Sequence, residues 1–225
     1  MAVRRAIIGS SSSAIKLHNL RAVLLVLLWH APVSRVRIAE LTGLSTTTVT
    51  NLVAELLAQG IVVESGLEQD EQRGAGRPRV ALRLVPGARA ALGIHIGVGS
   101  VHLAVTDLFA RPLHTRTIEH PVDRPAETVL DKIADDAERA IAASGVDRRA
   151  LVGVGVGASG LVDVAAGVNV LAPNLDWHNV PLRDPLGERL GLPVFVDNNV
   201  RAMALAETLF GAGADVHMLA FVYAR

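Results

Sequence analysis

Residues 33–57 read VSRVRIAELTGLSTTTVTNLVAELL, and their spacing decides how the front of the chain folds. Ala39 stands four positions before Gly43, and Val49 stands six positions after it. Two helices that cross closely need a small residue where they touch. They need a residue tolerant of positive φ at the turn, and a branched apolar plug in the angle between them. Ala39, Gly43 and Val49 meet these needs in order. The segment therefore reads as a helix–turn–helix that holds its second helix outward, an arrangement suited to a DNA major groove.

The flanks extend this unit. Leu20, Val23, Leu24, Leu27 and Leu28 fall on one face of a preceding helix that Pro32 ends. Ser34 caps the next helix, to about Leu41, and Ser45 the third. In the third, Val49, Leu52, Val53, Leu56 and Leu57 make an apolar stripe. The other face carries Thr46, Thr47, Thr48, Thr50 and Asn51. With Ser45, these short hydroxyl and amide groups are the candidate contacts to phosphates and base edges. The alternative is an ordinary solvated face. Gly60 stops the helix, residues 61–64 read as a strand, and Val80, Leu82 and Leu84 alternate in a second. The polar loop between them ends in Gly-Ala-Gly-Arg-Pro-Arg at residues 74–79. Two strands and a loop after such a helix make a wing. Arg77 and Arg79 are its candidates for a narrow minor groove, or belong to a linker hairpin that touches nothing.

The composition bounds the rest. With 225 residues, 50% of them hydrophobic and only 3% aromatic, the chain can bury an aliphatic core in one medium domain or two small ones. It has no cysteine, which excludes disulfides and cysteine-ligated zinc and fits a cytoplasmic protein. The early apolar run, residues 22–29, is shorter than the roughly 20 residues that a bilayer requires, so no membrane contact is expected. The net charge of zero hides an asymmetry. Residues 1–90 hold 11 Lys/Arg against 6 Asp/Glu, and residues 91–225 hold 11 against 16. A basic front and an acidic rear point to two domains with different partners, the front being the one suited to a polyanion.

Behind the wing the pattern becomes α/β. Strands are expected at 91–96, 101–107, 113–118, 151–156 and 193–196, with a last one beginning at 217–223. Helices are expected at 126–143, 182–190 and 200–210. Mixed strands and helices imply a layered α/β fold. Gly155, Gly157 and Gly160 spell G-x-G-x-x-G, but a dinucleotide site needs a helix to start at that turn. The residues that follow read as strand–turn–strand, so a Rossmann site is rejected.

Taken together, several motifs resemble the ROK family of repressors and sugar kinases. They are the winged unit with Gly-Arg-Pro at 76–78, GIHIGVGS at 93–100 and GVGASGLVD at 155–163. APNLDW at 172–177, LPVFVDNN at 192–199, ALAE at 204–207 and Phe210-Gly211 complete the set. The resemblance covers essentially the whole chain and lies on the side of the xylose and N-acetylglucosamine repressors. It implies a winged helix–turn–helix DNA-binding domain at 1–86. A partial actin-like lobe, of the sugar kinase and ribonuclease H type, is implied at 87–225. It also implies operator DNA as partner, a sugar or sugar-phosphate effector and a homo-oligomer.

Two departures separate regulator from enzyme. The family's kinases carry aspartate where this chain has His95, and Asn-Asp where it has Asn198-Asn199. That second aspartate accepts the proton of the attacking sugar hydroxyl. An amide cannot take the proton near neutral pH, although it can hydrogen-bond a hydroxyl. The resemblance thus implies a cleft that binds without turnover, with no catalytic residue. Asn198 and Asn199 are the first sugar-contact candidates, and Ser159, Gly160 and Asn174 the next. Glu207 and His95 read as structural, and Trp177 and His178 as cleft rim or loop anchor. Family members continue into a second phosphate loop and a zinc site. This chain ends before both, as a fragment or a shortened form, so no cofactor is expected within it.

Overall fold

The computed structural model describes residues 12–67, 79–120, 124–211, 213, 216 and 218–223. The chain divides into two compact units, Met1–Val85 and Pro86–Arg225.

The first unit is three helices and a small sheet. Helix α1 (Ser12–His30) packs on α2 (Arg35–Thr42) and on the strand β3 (Val80–Leu84). Its buried residues are Val23, Val26 and Leu27, so Val26 joins the expected stripe while Leu20, Leu24 and Leu28 are half-buried. By length and composition α1 could cross a membrane. Between α1 and α2 lies a two-residue strand, β1 (Val33–Ser34), that local periodicity does not signal. Ser34 caps α2 by accepting from the Arg37 amide at 3.3 Å. Gly43 ends α2 at φ 69°, its N–H donating to Ala39 at 2.9 Å. Helix α3 (Thr46–Ala58) buries Val49, Leu52, Val53 and Leu56, with Leu57 half-buried. Strands β2 (Val62–Leu67) and β3 (Val80–Leu84) pair antiparallel, and β1 adds to the far side of β3, giving the order β1-β3-β2. Ala81 is therefore buried along with Leu82 and Leu84, because β3 is central. Arg77 and most of the wing loop lie outside the described residues.

The second unit is built on a five-stranded sheet. Its strands are β4 (Ala90–Ile96), β5 (Ser100–Asp107), β6 (Pro112–Glu119), β7 (Leu151–Ala158) and, further along the chain, β11 (Val194–Asn198). Strands β4, β5 and β6 form an antiparallel meander, and β7 joins β4 in parallel. Helix α4 (Ala126–Ser144), between β6 and β7, lays Val129, Ile133, Ala137 and Ile141 on one face of the sheet. Leu92, Ile94, Leu103, Val105, Val154 and Val156 meet it from alternate strand positions, as a period of two requires. After β7 comes a hairpin layer of β8 (Leu161–Asp163), β9 (Val168–Ala172) and β10 (Trp177–Pro181). No helix starts at Gly160, which agrees with rejecting a dinucleotide loop. Helix α5 (Arg183–Leu190) leads into β11 (Val194–Asn198), parallel to β7, and α6 (Asn199–Phe210) follows directly.

Two expectations are corrected. Residues 218–223 form no strand: they pair with none of the sheets, and Met218 and Val222 are exposed. A strand exists only where a neighbour takes its backbone hydrogen bonds. Trp177 is not on a rim, because it opens β10 and is buried in the core, whereas His178 is exposed.

Candidate functional site

In the first unit the geometry converges on α3. Ser45 caps it twice over, accepting from the Thr48 amide at 3.1 Å and bonding the Thr48 hydroxyl at 2.9 Å. Thr46, Thr47, Thr50 and Asn51 are all exposed, on the side opposite the buried stripe. Thr50 turns its hydroxyl back onto the Thr46 carbonyl at 2.7 Å. Thr46, Thr47 and Asn51 have no side-chain partner among the described residues. Arg79, half-buried, leads into β3.

The cations sit elsewhere in this unit. Arg35 and Arg37 begin α2, paired with Glu64 at 3.1 Å and Glu40 at 3.0 Å. Lys16 of α1 holds Glu55 of α3 at 2.8 Å. Neither periodicity nor the motif spacing singles out these three. The signal is in the sequence: one arginine directly follows the Ser34 cap and a second stands two residues further on, and the first helix of such a motif crosses the DNA backbone.

In the second unit the parallel strands set the site. Ile96 is in register with Ala158, and Ala158 with Asn198, so β4, β7 and β11 end at one edge of the sheet. Ligands of open α/β sheets bind outside this carboxyl edge. Four of the five expected sugar contacts meet there. Asn198 caps α6, its Oδ1 accepting from the amides of Val200 at 2.9 Å and Arg201 at 3.2 Å. Its Nδ2 donates to the Gly160 carbonyl at 2.7 Å. Asn199 Nδ2 donates to Ser159 Oγ at 3.1 Å and faces His95 Nε2 at 3.3 Å. Ser159 in turn donates to the Ile96 carbonyl. Asn199 is only 6% exposed, whereas Gly160 is open to solvent. Asn174 stands apart, exposed on the short helical turn Pro173–Leu175.

Gly160 has φ 96°, and a Cβ there would come within 2.3 Å of the Leu171 carbonyl oxygen. Only glycine lets this turn lie so close on β9. Asn169 of β9 ties the turn down by donating to the Ser159 carbonyl at 2.8 Å, while its own buried Oδ1 has no partner. His95 also stacks on His102, with ring centroids 5.7 Å apart. The face of the sheet away from α4 holds a cavity of about 730 Å³, lined by Gly93, His95, Gly155, Phe195 and Asn199 among others. No carboxylate stands at position 95 or 199, and Asp197 is engaged with Arg201 at 3.3 Å. The cluster can offer amide and hydroxyl hydrogen bonds, and it has no base at the position of Asn199.

Residues 91–224 match the profile of the ROK family. This chain belongs to the ROK family. Residues 17–63 match the winged helix-turn-helix DNA-binding family, so a winged head precedes a ROK lobe of actin-like sugar kinase type. A xylose repressor of Caldicellulosiruptor bescii is 31% identical over 204 residues, 91% of this chain and 50% of that protein. The crystal structure of a ROK transcriptional regulator, a homologue of the Escherichia coli Mlc protein, superposes with a TM-score of 0.72 at 26% identity. It covers 89% of this chain and 50% of that one. A ROK glucokinase of Streptomyces griseus, solved with glucose and AMPPNP, superposes with a TM-score of 0.50 at 36% identity. It covers 55% of this chain and 38% of that one. The chain spans about half the length of the curated relatives it matches.

Proposed function

We infer that this ROK chain is a sequence-specific DNA-binding transcriptional regulator of carbohydrate metabolism, a repressor, whose rear lobe senses a sugar without turning it over. The observation that carries the reading is the capped, outward face of α3 in a winged head joined to a ROK lobe. Ser45, Thr46, Thr47, Thr48, Thr50, Asn51, Arg77 and Arg79 make the DNA contacts in this reading. Asn198, Asn199, Ser159, Gly160 and Asn174 make the sugar contacts, the amides taking hydroxyls in place of the present internal bonds. A sugar that binds one arrangement of this edge better than another shifts the population of the DNA-competent form.

One observation favours a second reading, a sugar kinase: the glucokinase that resembles the rear lobe. Asn199 weighs against it, because phosphoryl transfer requires a base on the attacking hydroxyl. Both readings are tested on the full chain. Gel shifts with promoter DNA of sugar-utilisation genes, with and without xylose, glucose or N-acetylglucosamine, are expected to show a specific complex that one sugar weakens. Sugar-dependent ATP consumption is expected to stay at background. Loss of specific DNA binding sinks the regulator, and turnover establishes the kinase. If DNA binding persists while calorimetry finds no sugar, the chain is a constitutive binder.

A further inference from the structure

Helix α3 presents an uncharged reading face. It contains no lysine or arginine, and its sole acid, Glu55, is held by Lys16. That composition removes two of the base-discriminating side-chain codes of the major groove. Guanine is read by Arg or Lys on O6 and N7, and cytosine by a carboxylate on N4. Threonine hydroxyls bond any base and so do not choose between them; the discriminating codes that remain are asparagine on adenine N6 and N7, and apolar contact with the thymine methyl. The hydrogen bonds sort the exposed residues between these two roles. Among the described residues the Asn51 amide has no partner, which leaves it able to make the bidentate bond to adenine. The Thr50 hydroxyl is spent on the Thr46 carbonyl, which leaves its methyl as the group it has to offer. Ala54, one turn on and exposed, offers only a methyl. Thr50 and Ala54 are four residues apart, and so are Thr47 and Asn51, so each pair shares a row along the helix.

We propose that α3 selects A·T base pairs in the major groove, with Asn51 on an adenine and the methyls of Thr50 and Ala54 against thymine methyls. This rests on the DNA-binding reading above and adds to it the bases chosen and the chemistry of the choice. The cations of α1 and α2 hold phosphates and carry no part of this code.

The test uses the full chain and a library of randomised duplexes. Selection is expected to enrich a core of A·T pairs. The best duplex is then remade with deoxyuridine for thymine at each core position, which removes only the 5-methyl group. One or two of these changes are expected to weaken binding about fivefold or more. The methyl lies in the major groove, so this effect belongs to α3 and not to arginines of the wing in the minor groove. Asn51→Ala is expected to lower affinity about tenfold and to relax selection at one base pair, with the melting temperature unchanged. A core of G·C pairs, or deoxyuridine duplexes that bind as well as thymine ones, overturns the proposal while leaving DNA binding intact. A library that yields no enriched sequence overturns DNA binding and the proposal together.

Discussion

Ser45 shows how one side chain sets both stability and presentation. The first turn of α3 leaves amide groups without helical partners, and the Ser45 hydroxyl takes the one on Thr48. Removing such a cap costs about 1 kcal/mol. Ser45→Ala is therefore expected to lower the melting temperature of the first unit by roughly 4–8 °C, since each kcal/mol is worth about that much in so small a unit. Ser45→Asp, which restores an acceptor, is expected to hold the melting temperature near its original value. Circular dichroism melts of the two variants check this, and equal losses in both would assign the effect to something other than the cap. The same kind of chemistry operates at Asn198, which caps α6 while its amide nitrogen ties down Gly160. A residue read from sequence as a sugar contact thus also builds the edge on which sugar contacts are proposed.

At the scale of elements, Asp136 of α4 shows what periodicity misses. The sequence places Val129, Ile133, Ala137 and Ile141 on the apolar face, yet Asp136 is itself 1% exposed. Arg116 of β6 donates to it at 2.8 Å and Arg139 at 3.1 Å. The two arginines are well exposed, so water screens the cluster, and Arg116→Ala is expected to cost about 1–2 kcal/mol, less than a fully buried pair. The melting temperature of the second unit then falls by roughly 2–8 °C. Arg116→Met with Asp136→Leu is expected to recover most of the loss, because it leaves no buried charge alone. Whether an element could be read depended on where its partner lies in the chain. The helix–turn–helix was legible because Ala39, Gly43 and Val49 interact within one short segment, and the capping serines mark its helices. Strand β1 was not, because two residues become a strand only by pairing with Leu82 and Ala81. Strand β10 reads WHNVP, with no alternation, and its partner β9 makes it a strand. The segment at 217–223 has strand-forming residues, but its described part pairs with no strand. The contact of Asn199 with His95 spans 104 positions and follows from parallel register, which a single sequence does not display.

Across the whole molecule, charge is divided by unit: the balance is +4 over residues 1–85 and −4 over residues 86–225. Because α3 contributes no cation, the proposed attraction to phosphates falls on other cations of this unit, Arg35, Arg37, Lys16 and the wing arginines among them. A phosphate contact and a base contact leave different marks on salt dependence. Each phosphate neutralised contributes about −0.9 to the slope of log K against log salt. Arg37→Gln is expected to make that slope shallower by about this amount and to weaken binding to all sequences alike. Its pair with Glu40 is exposed on both sides, so the fold is expected to tolerate the change. Asn51→Ala is expected to leave the slope unchanged while relaxing the preference at one base pair. Arg189, in the acidic unit, is held by Asp131 and Asp135 at 2.5 and 2.7 Å. Arg189→Gln is expected to leave both slope and preference as they were, if polyanion contact belongs to the front unit alone. Fluorescence anisotropy on one labelled duplex over a series of salt concentrations measures all three. A slope that moves with Arg189 and not with Arg37 would transfer the DNA contact to the rear lobe, against the charge division from which it is argued.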